Sequence, residues 1–498
     1  MPPSPSSESR LPFWTLAALP FFVATWLRFR GLGTLEPFVD EGANILNSLD
    51  PRVTAAFEPL EQGRPLLRQL FAPASWFPEH ALIVARAMTA LAGLTTMGVL
   101  AWILYRLAGR AAALCGLWLW ATMPFAVFHE RMALQDPFGT ALLALALACA
   151  VVPRISPLAA GAFLGLAFLN KISAAFALPW LGLVYAAVQK QNGRPVLDRR
   201  LLLIAGSAVA GVVLYLRGDL FALGSHLARY NALPGADTTT NLMGRLVSWL
   251  DWNRGYGGWP LGLLLIGAVA IQLWRPSRLA LFAGTAWLTT LLIAAAFYNN
   301  TLARYLHPDH LPLVLFLALS FGAAWDAANR ATRMVVHVCF IAPLIGWVNV
   351  SRQIVSDPTT APLPPTEIQQ YVTGPWSGRG LNDIRRFLGD FADQQNVRCL
   401  VLTHRFLRPG CYGLMLAELG DPRLGVVPFT VYEPSELAAA LPGLKKISAG
   451  QRVAFFLLYE GSLYPAAAWL AHPDAPTRRV FATPHGTTNQ FTLYQFEP

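Results

Sequence analysis

The stretch F-V-D-E-G-A-N-I, residues 38–45, decides how this chain is read. It follows the first long apolar segment and opens the first long polar loop, so Asp40 and Glu41 stand as adjacent carboxylates just beyond a membrane boundary. The plainer reading is an acidic cap on a short helix over G-A-N-I-L-N-S-L. The sharper one is a general base held at the membrane surface for chemistry on a lipid-linked substrate. The stretch alone favours the plainer reading, and the rest of the chain reverses that order.

The 498 residues are 54% hydrophobic and 13% charged, where soluble chains carry about a quarter charged residues. The mean hydropathy is +0.43. A bilayer core about 30 Å thick needs about 20 apolar residues per helix, and the first 350 residues hold many such runs. The net charge of +10 would suit nucleic acid, but the basic residues fall in short clusters between apolar runs, as membrane topology requires. Membrane lipids and a phosphate-bearing substrate are therefore the expected partners, and nucleic acid is not.

Apolar runs predict about eleven spans, near 11–29, 81–105, 111–128, 138–152, 157–169, 173–188, 201–216, 259–274, 279–297, 311–325 and 334–350. The first lacks an A-x-A-like cleavage site and reads as an uncleaved span. Short basic turns follow the even-numbered spans, at Arg106/Arg110, Arg154, Lys190 to Arg200, Arg275/Arg278 and Arg330/Arg333. The positive-inside rule puts these turns and the N-terminus in the cytoplasm, with the loops 31–79 and 217–258 outside. Arg28 and Arg30 run against the rule as a local exception. The second long loop, with H-L-A-R-Y and an aromatic end, suits one or two interfacial helices. No inverted repeat relates the two halves, which weakens a transporter reading.

Residues 351–498 change character and read as a separate, extracytoplasmic soluble α/β domain after a transmembrane domain of residues 1–350. L-N-D-I-R-R-F-L-G-D-F has helical periodicity. V-R-C-L-V-L-T and R-V-A-F-F-L-L-Y read as buried strands, and Q-F-T-L-Y-Q-F as a final edge strand. No nucleotide-binding glycine motif is present. W-S-G-R-G before the helix reads as a cap or as an anion-binding turn. Cys399 and Cys411 would share an oxidising compartment, so a disulfide between them competes with two free thiols.

Polar groups gather at the outer span ends: Asp40 and Glu41, Arg86, Glu130, Arg131 and Asp136, Lys171, Arg304 and His307. Each has a plain explanation alone: snorkelling, a local ion pair, a headgroup contact, a satisfied turn. Together they put acids and cations at one depth of one face, and charge buried at a membrane is usually tied to function.

The order of these pieces resembles the GT-C glycosyltransferases, the bacterial relatives of protein O-mannosyltransferases and of lipid A aminoarabinose transferases. The matching pieces are D-E at 40–41, A-R at 85–86, Y-R-L-A-G-R at 105–110, R-M-A-L-Q-D-P at 131–137, L-N-K at 169–171, R-Y-L-H-P at 304–308 and T-G-P-W-S-G-R-G-L at 373–381. L-N-K-I-S-A lacks a glycine often found after the lysine, and His307, Asp309 and His310 replace a more apolar segment. The resemblance implies a GT-C-type polytopic helical fold in a bacterial inner (cytoplasmic) membrane. It implies an enzyme that moves a sugar from a polyprenyl-phosphate donor to an acceptor hydroxyl on a lipid, glycan or protein, with inversion, at the outer face. Asp40 would be the base, with Glu41 and Asp136 as supporting acids. Lys171 and Arg304 would hold the donor phosphate, joined by Arg86, Arg131 and His307 as further substrate contacts. No cofactor is implied. A divalent metal is possible if Asp40, Asp136 and His307 converge, but their spacing does not ask for one. The alternatives are a transporter or flippase of a lipid-linked sugar, which needs the same cations but no base, and a noncatalytic envelope scaffold.

Overall fold

The structure is a computed structural model. It describes residues 12–56, 64–152, 154–215, 242–297, 302–327, 329–374, 376–404, 408–429, 450–460, 478–482 and 491–496, with isolated positions between 439 and 446. Glu58, Glu61, the H-L-A-R-Y segment and the N-terminal residues 1–11 lie outside the described residues. The chain forms two compact units. One comprises Met1–Arg30, Ala90–Glu130 and Asp136–Val355, the other Gly31–Thr89, Arg131–Gln135 and Ser356–Pro498.

The first unit is helical. In chain order its helices are α1 (Phe13–Phe29), most of a helix Ala81–Ala108 (below, α3), α4 (Arg110–Thr122), α5 (Pro124–His129), α6 (Asp136–Val151), α7 (Pro157–Asn170), α8 (Leu178–Gln191), α9 (Arg199–Tyr215), α10 (Leu242–Trp274), α11 (Arg278–Phe297), α12 (His310–Ala327) and α13 (Arg330–Ser356). Each apolar run expected to span overlaps at least one of them; the run 111–128 is split at Met123 into α4 and α5, and α10 begins well before the run 259–274. Among the described residues five stretches are long and apolar enough to cross a bilayer: Pro78–Ala108, Ile172–Gln191, Leu242–Trp274, Arg278–Ala296 and Arg333–Ser356. Phe13–Phe29, Asp136–Val151, Pro157–Asn170 and His310–Asp326 are shorter apolar helices. The outward side chains are also apolar, with Trp14, Phe22, Ile266 and Leu273 among the exposed ones, the reverse of a soluble surface and the pattern of lipid contact. The protein is thus an integral, multi-pass membrane protein.

Small residues let these helices approach closely. α7 packs on α9 through Gly161 and Gly165, against Ile204, Ser207 and Ala208, and α12 meets α4 where Gly322 faces Ala112. α10 runs through the aromatic W-L-D-W-N-R-G-Y-G-G-W segment and kinks at Gly258, whose φ of 55° is left-handed.

The second unit holds α2 (Val39–Leu49), a five-stranded sheet, α14 (Leu381–Gln395) and α15 (Pro409–Glu418). The strands are β1 (Arg398–His404), β2 (Leu424–Phe429), β3 (Val453–Glu460), β4 (Arg478–Ala482) and β5 (Phe491–Phe496), in the order β2-β1-β3-β5-β4. β1 pairs in parallel with β2 and β3, while β5 is antiparallel to both β3 and β4. β1 and β3 fall on the two apolar runs read as strands. F-T-L-Y-Q-F is not an edge: β5 lies inside the sheet, and the short R-R-V-F-A strand, with two exposed arginines, takes the edge. Charged residues on a short edge strand disfavour pairing with a foreign strand.

Cys399 and Cys411 are both buried, and no disulfide joins them. Cys399, on β1, points at the Leu388 carbonyl of α14, and Cys411, in the first turn of α15, at the Met415 sulfur. The thiols face different helices.

Candidate active site

Phe38 is extended, and the chain turns helical at Val39, so Asp40 and Glu41 both enter the first turn of α2. There negative charge opposes the helix dipole favourably. The helix places the two acids differently. Asp40 is half-buried. Glu41 is fully buried and accepts four hydrogen bonds. They come from Arg86 Nε and Nη2, at 2.8 and 2.6 Å, the Ala133 amide at 2.7 Å and the Phe38 amide at 3.1 Å. The last is half of a capping box.

Arg86, in the second turn of α3 (Ala81–Ala108), spends its other donors on the carbonyls of Leu32, Leu35 and Glu36. A guanidinium has five N–H groups, and all five are taken. The phosphate contact expected of Arg86 has no donor left for it. The side chain instead fastens residues 32–36 to α2, and Glu41 is its counter-ion. Arg131 donates to the Gly31 carbonyl at 2.9 Å, and Asn44 to the Ala133 carbonyl at 3.1 Å. The segment 131–135 is thereby tied to the loop that carries Asp40.

The turn before α14 holds an anion of the chain's own. Gly380, at φ 99°, lets the backbone turn in, and the amides of Gly380 and Asn382 each donate to Glu36 at 2.7 Å. Burial raises the Glu36 carboxyl above its ordinary range, and the two amides work against that rise.

The first unit carries a second cluster. Arg28, read from sequence as a topological exception, is buried and forms an ion pair with buried Glu130, while also donating to the carbonyls of Trp120 and Ala121. Trp120 Nε1 donates to Glu130 at 3.0 Å. A Cβ at Gly93 would collide with the Glu130 carboxylate, so glycine is what allows α3 to pass there. His307 Nε2 faces Glu130 Oε1 at 3.5 Å, and its Nδ1 lies 2.7 Å from Thr140 Oγ1. Thr140 donates to the Asp136 carbonyl at 3.0 Å, so the hydroxyl accepts from the Nδ1–H of His307.

Asp136 opens α6 and accepts from Lys171 Nζ at 2.8 Å. Lys171 sits where α7 ends, its backbone extended at φ −160°, and its ammonium lies 3.8 Å from the centre of the Tyr305 ring. Arg304 also lies over Tyr305, its guanidinium carbon 5.6 Å from the ring centre, and with Lys171 it sets positive charge near Asp136. A cavity of about 20 Å³ opens among Asp136, Asn170, Lys171, Ser173, Tyr305 and Asp309, room for about one water. Asp136, Lys171, Arg304 and His307 are thus brought together in one unit, and Glu41, Arg86 and Arg131 in the other, beside Asp40 in sequence. Asp309, noted from sequence only as a departure from the family pattern, is buried and lines the cavity. Among the described residues no three His, Cys, Asp or Glu side chains are grouped to hold a metal.

No protein-family model and no curated protein matches the chain. Solved structures do. The crystal structure of ArnT from Cupriavidus metallidurans bound to undecaprenyl phosphate is similar over 97% of each chain, at 17% identity and a TM-score of 0.57. The apo structure of the same protein is similar over 97% of this chain and 96% of that one, at 14% identity and a TM-score of 0.53. The chain therefore shares the fold of these structures over 97% of its length, and this is the GT-C-type fold that the sequence resemblance implied.

Proposed function

We propose that the protein is a GT-C-type glycosyltransferase that takes a sugar from a polyprenyl-phosphate donor and passes it to an acceptor hydroxyl at the outer face of a bacterial inner membrane. The observation that carries this reading is the Asp136–Lys171–Arg304 cluster, buried charge at the ends of apolar helices, where charge is costly and is usually retained for function. The ArnT structure of the same fold holds undecaprenyl phosphate, a ligand of the class these cations suit.

In this reading Lys171 and Arg304 stabilise the phosphate as it leaves, so that no general acid is needed. Asp136 keeps Lys171 extended in the absence of donor and releases it when the phosphate arrives. Asp40 removes the acceptor's proton as its oxygen attacks the anomeric carbon from the face opposite the phosphate. Glu41 and Arg86 hold the turn that carries Asp40, and Glu130 and Arg28 orient His307. The test is release of polyprenyl phosphate from a panel of labelled polyprenyl-phosphate sugars, with the purified protein in nanodiscs. Transfer or hydrolysis of one donor supports the reading. Movement of labelled lipid between leaflets with no bond broken would make it a flippase instead.

A further inference from the structure

A second cavity in the helical unit lies away from the Asp136 cluster. It has a volume of about 790 Å³ and is walled by α1, α4, α12 and α13, within the range of about 300–1,000 Å³ typical of small-ligand pockets. Helix direction fixes its position. Leu16 and Arg110 lie near the starts of α1 and α4, whose far ends carry Arg28 and Trp120. Trp325 and Asp326 close α12, whose other end begins beside His307. The groove is therefore at the opposite end of the helices from the charged cluster, on the side of the basic turns.

Its lining is sorted by depth. Arg110 and Asp326 are the charged members, both at the mouth, and the rest of the wall is apolar, including Trp118, Ile341 and Ile345. Phe340 to Val348 on α13 covers about 12 Å at 1.5 Å per residue, close to half of a hydrocarbon core about 30 Å thick. Leu16, Ile341 and Ile345 are 44%, 46% and 65% exposed, so the groove opens sideways towards lipid. The charge at the mouth is positive on balance. Arg333 faces Asp326 and offsets it. Arg106 and Arg110 are both exposed, four residues apart across Gly109. Among the described residues no protein acceptor takes the Arg110 guanidinium.

We propose that this groove binds one anionic phospholipid of the leaflet on the side of the basic turns, with an acyl chain along α4 and α13 and its phosphate at Arg110. The apolar depth of one leaflet, the lateral opening and the cationic mouth match that ligand feature by feature. A juxtamembrane arginine contributes about 1 kcal/mol towards an anionic lipid. The preference over a zwitterionic lipid is therefore about fivefold.

The experiment uses the full-length protein in nanodiscs with phosphatidylglycerol or phosphatidylcholine carrying a diazirine on one acyl chain, at equal mole fraction. Crosslinks are mapped by mass spectrometry. The expected result is labelling within 110–118 and 340–348, about fivefold higher for phosphatidylglycerol. Arg110→Glu lowers phosphatidylglycerol labelling to the phosphatidylcholine level and leaves the latter unchanged. Leu114→Trp, which fills the groove, removes both. Equal labelling by the two lipids, an unchanged preference in Arg110→Glu, or crosslinks spread over the outer helix faces with none in the groove would overturn the proposal.

Discussion

Arg86 donates to both carboxylate oxygens of Glu41, at 2.8 and 2.6 Å, with both side chains buried. Of the two adjacent acids that open α2, Glu41 is thus a structural counter-ion, and the half-buried Asp40 is the one we assign to chemistry. Breaking a buried pair from one side strands the other charge and costs about 3–5 kcal/mol. Glu41→Gln keeps the size but leaves Arg86 charged and underpaired. It is expected to lower the midpoint of thermal unfolding in detergent clearly, and the double variant Glu41→Gln/Arg86→Met to recover part of the loss. A single variant as stable as the parent would remove the structural role.

Lys171 and Arg304 are expected to hold donor phosphate. A hydrogen bond to a charged group is worth about 1.5–3 kcal/mol, so Lys171→Met and Arg304→Met should each weaken donor use roughly 10- to 100-fold. Lys171→Met also strands Asp136, and the double variant Asp136→Asn/Lys171→Met controls for that. Restored folding with donor KM still raised assigns the charge at 171 to the donor. Donor kinetics unchanged in both single variants would move the phosphate elsewhere.

Glu460 ends β3 deep in the second unit and accepts the Gly410 amide of α15 at 3.1 Å. Burial pushes its carboxyl up to about 7, with the positive charge of Arg408 and the Gly410 amide opposing the rise. A raised carboxyl pKa means that the folded state holds the proton more tightly than the unfolded chain. Glu460 therefore lowers stability progressively as pH rises from about 4.5 to about 7, and its penalty is constant above that. Glu460→Gln keeps the acceptor and removes the charge. Unfolding midpoints measured from pH 4 to pH 8 should show the variant matching the parent at the acid end and exceeding it at pH 8. Parallel curves for the two proteins would contradict the assignment.

The orientation argued from the basic turns predicts opposite sides for Asn192, at the end of α8, and Gln395, at the end of α14. Both are exposed. Cysteines placed there one at a time, with exposed Cys339 replaced by serine, should react with an impermeant maleimide in intact cells at 395 and not at 192. Reaction at 192 alone inverts the topology.

The helices were legible because a membrane span announces itself locally, as an apolar run, and β1 and β3 for a similar reason. What depended on distant partners was not. Arg28 read as a misplaced topogenic charge because its partner, Glu130, lies 102 residues away. Glu41 and Arg86 were both recognised as site residues, but only their mutual geometry shows that each consumes the other's capacity. Cys399 and Cys411 are close in sequence, yet strand and helix geometry turns them towards different neighbours. F-T-L-Y-Q-F is legible as a strand, but nothing within it reports that β4, earlier in the chain, covers its free side.

The central claim is that Asp40 is the base. Asp40→Asn keeps the side chain's size and much of its hydrogen bonding but cannot take the acceptor's proton, and loss of general base catalysis typically costs about 10²–10⁴ in rate. The measurement is single-turnover transfer, with donor affinity determined in parallel, for the parent and Asp40→Asn in nanodiscs. The account predicts a rate lower by about that factor, with donor affinity retained because the phosphate is held by cations rather than by Asp40. Near-normal turnover in Asp40→Asn would contradict it.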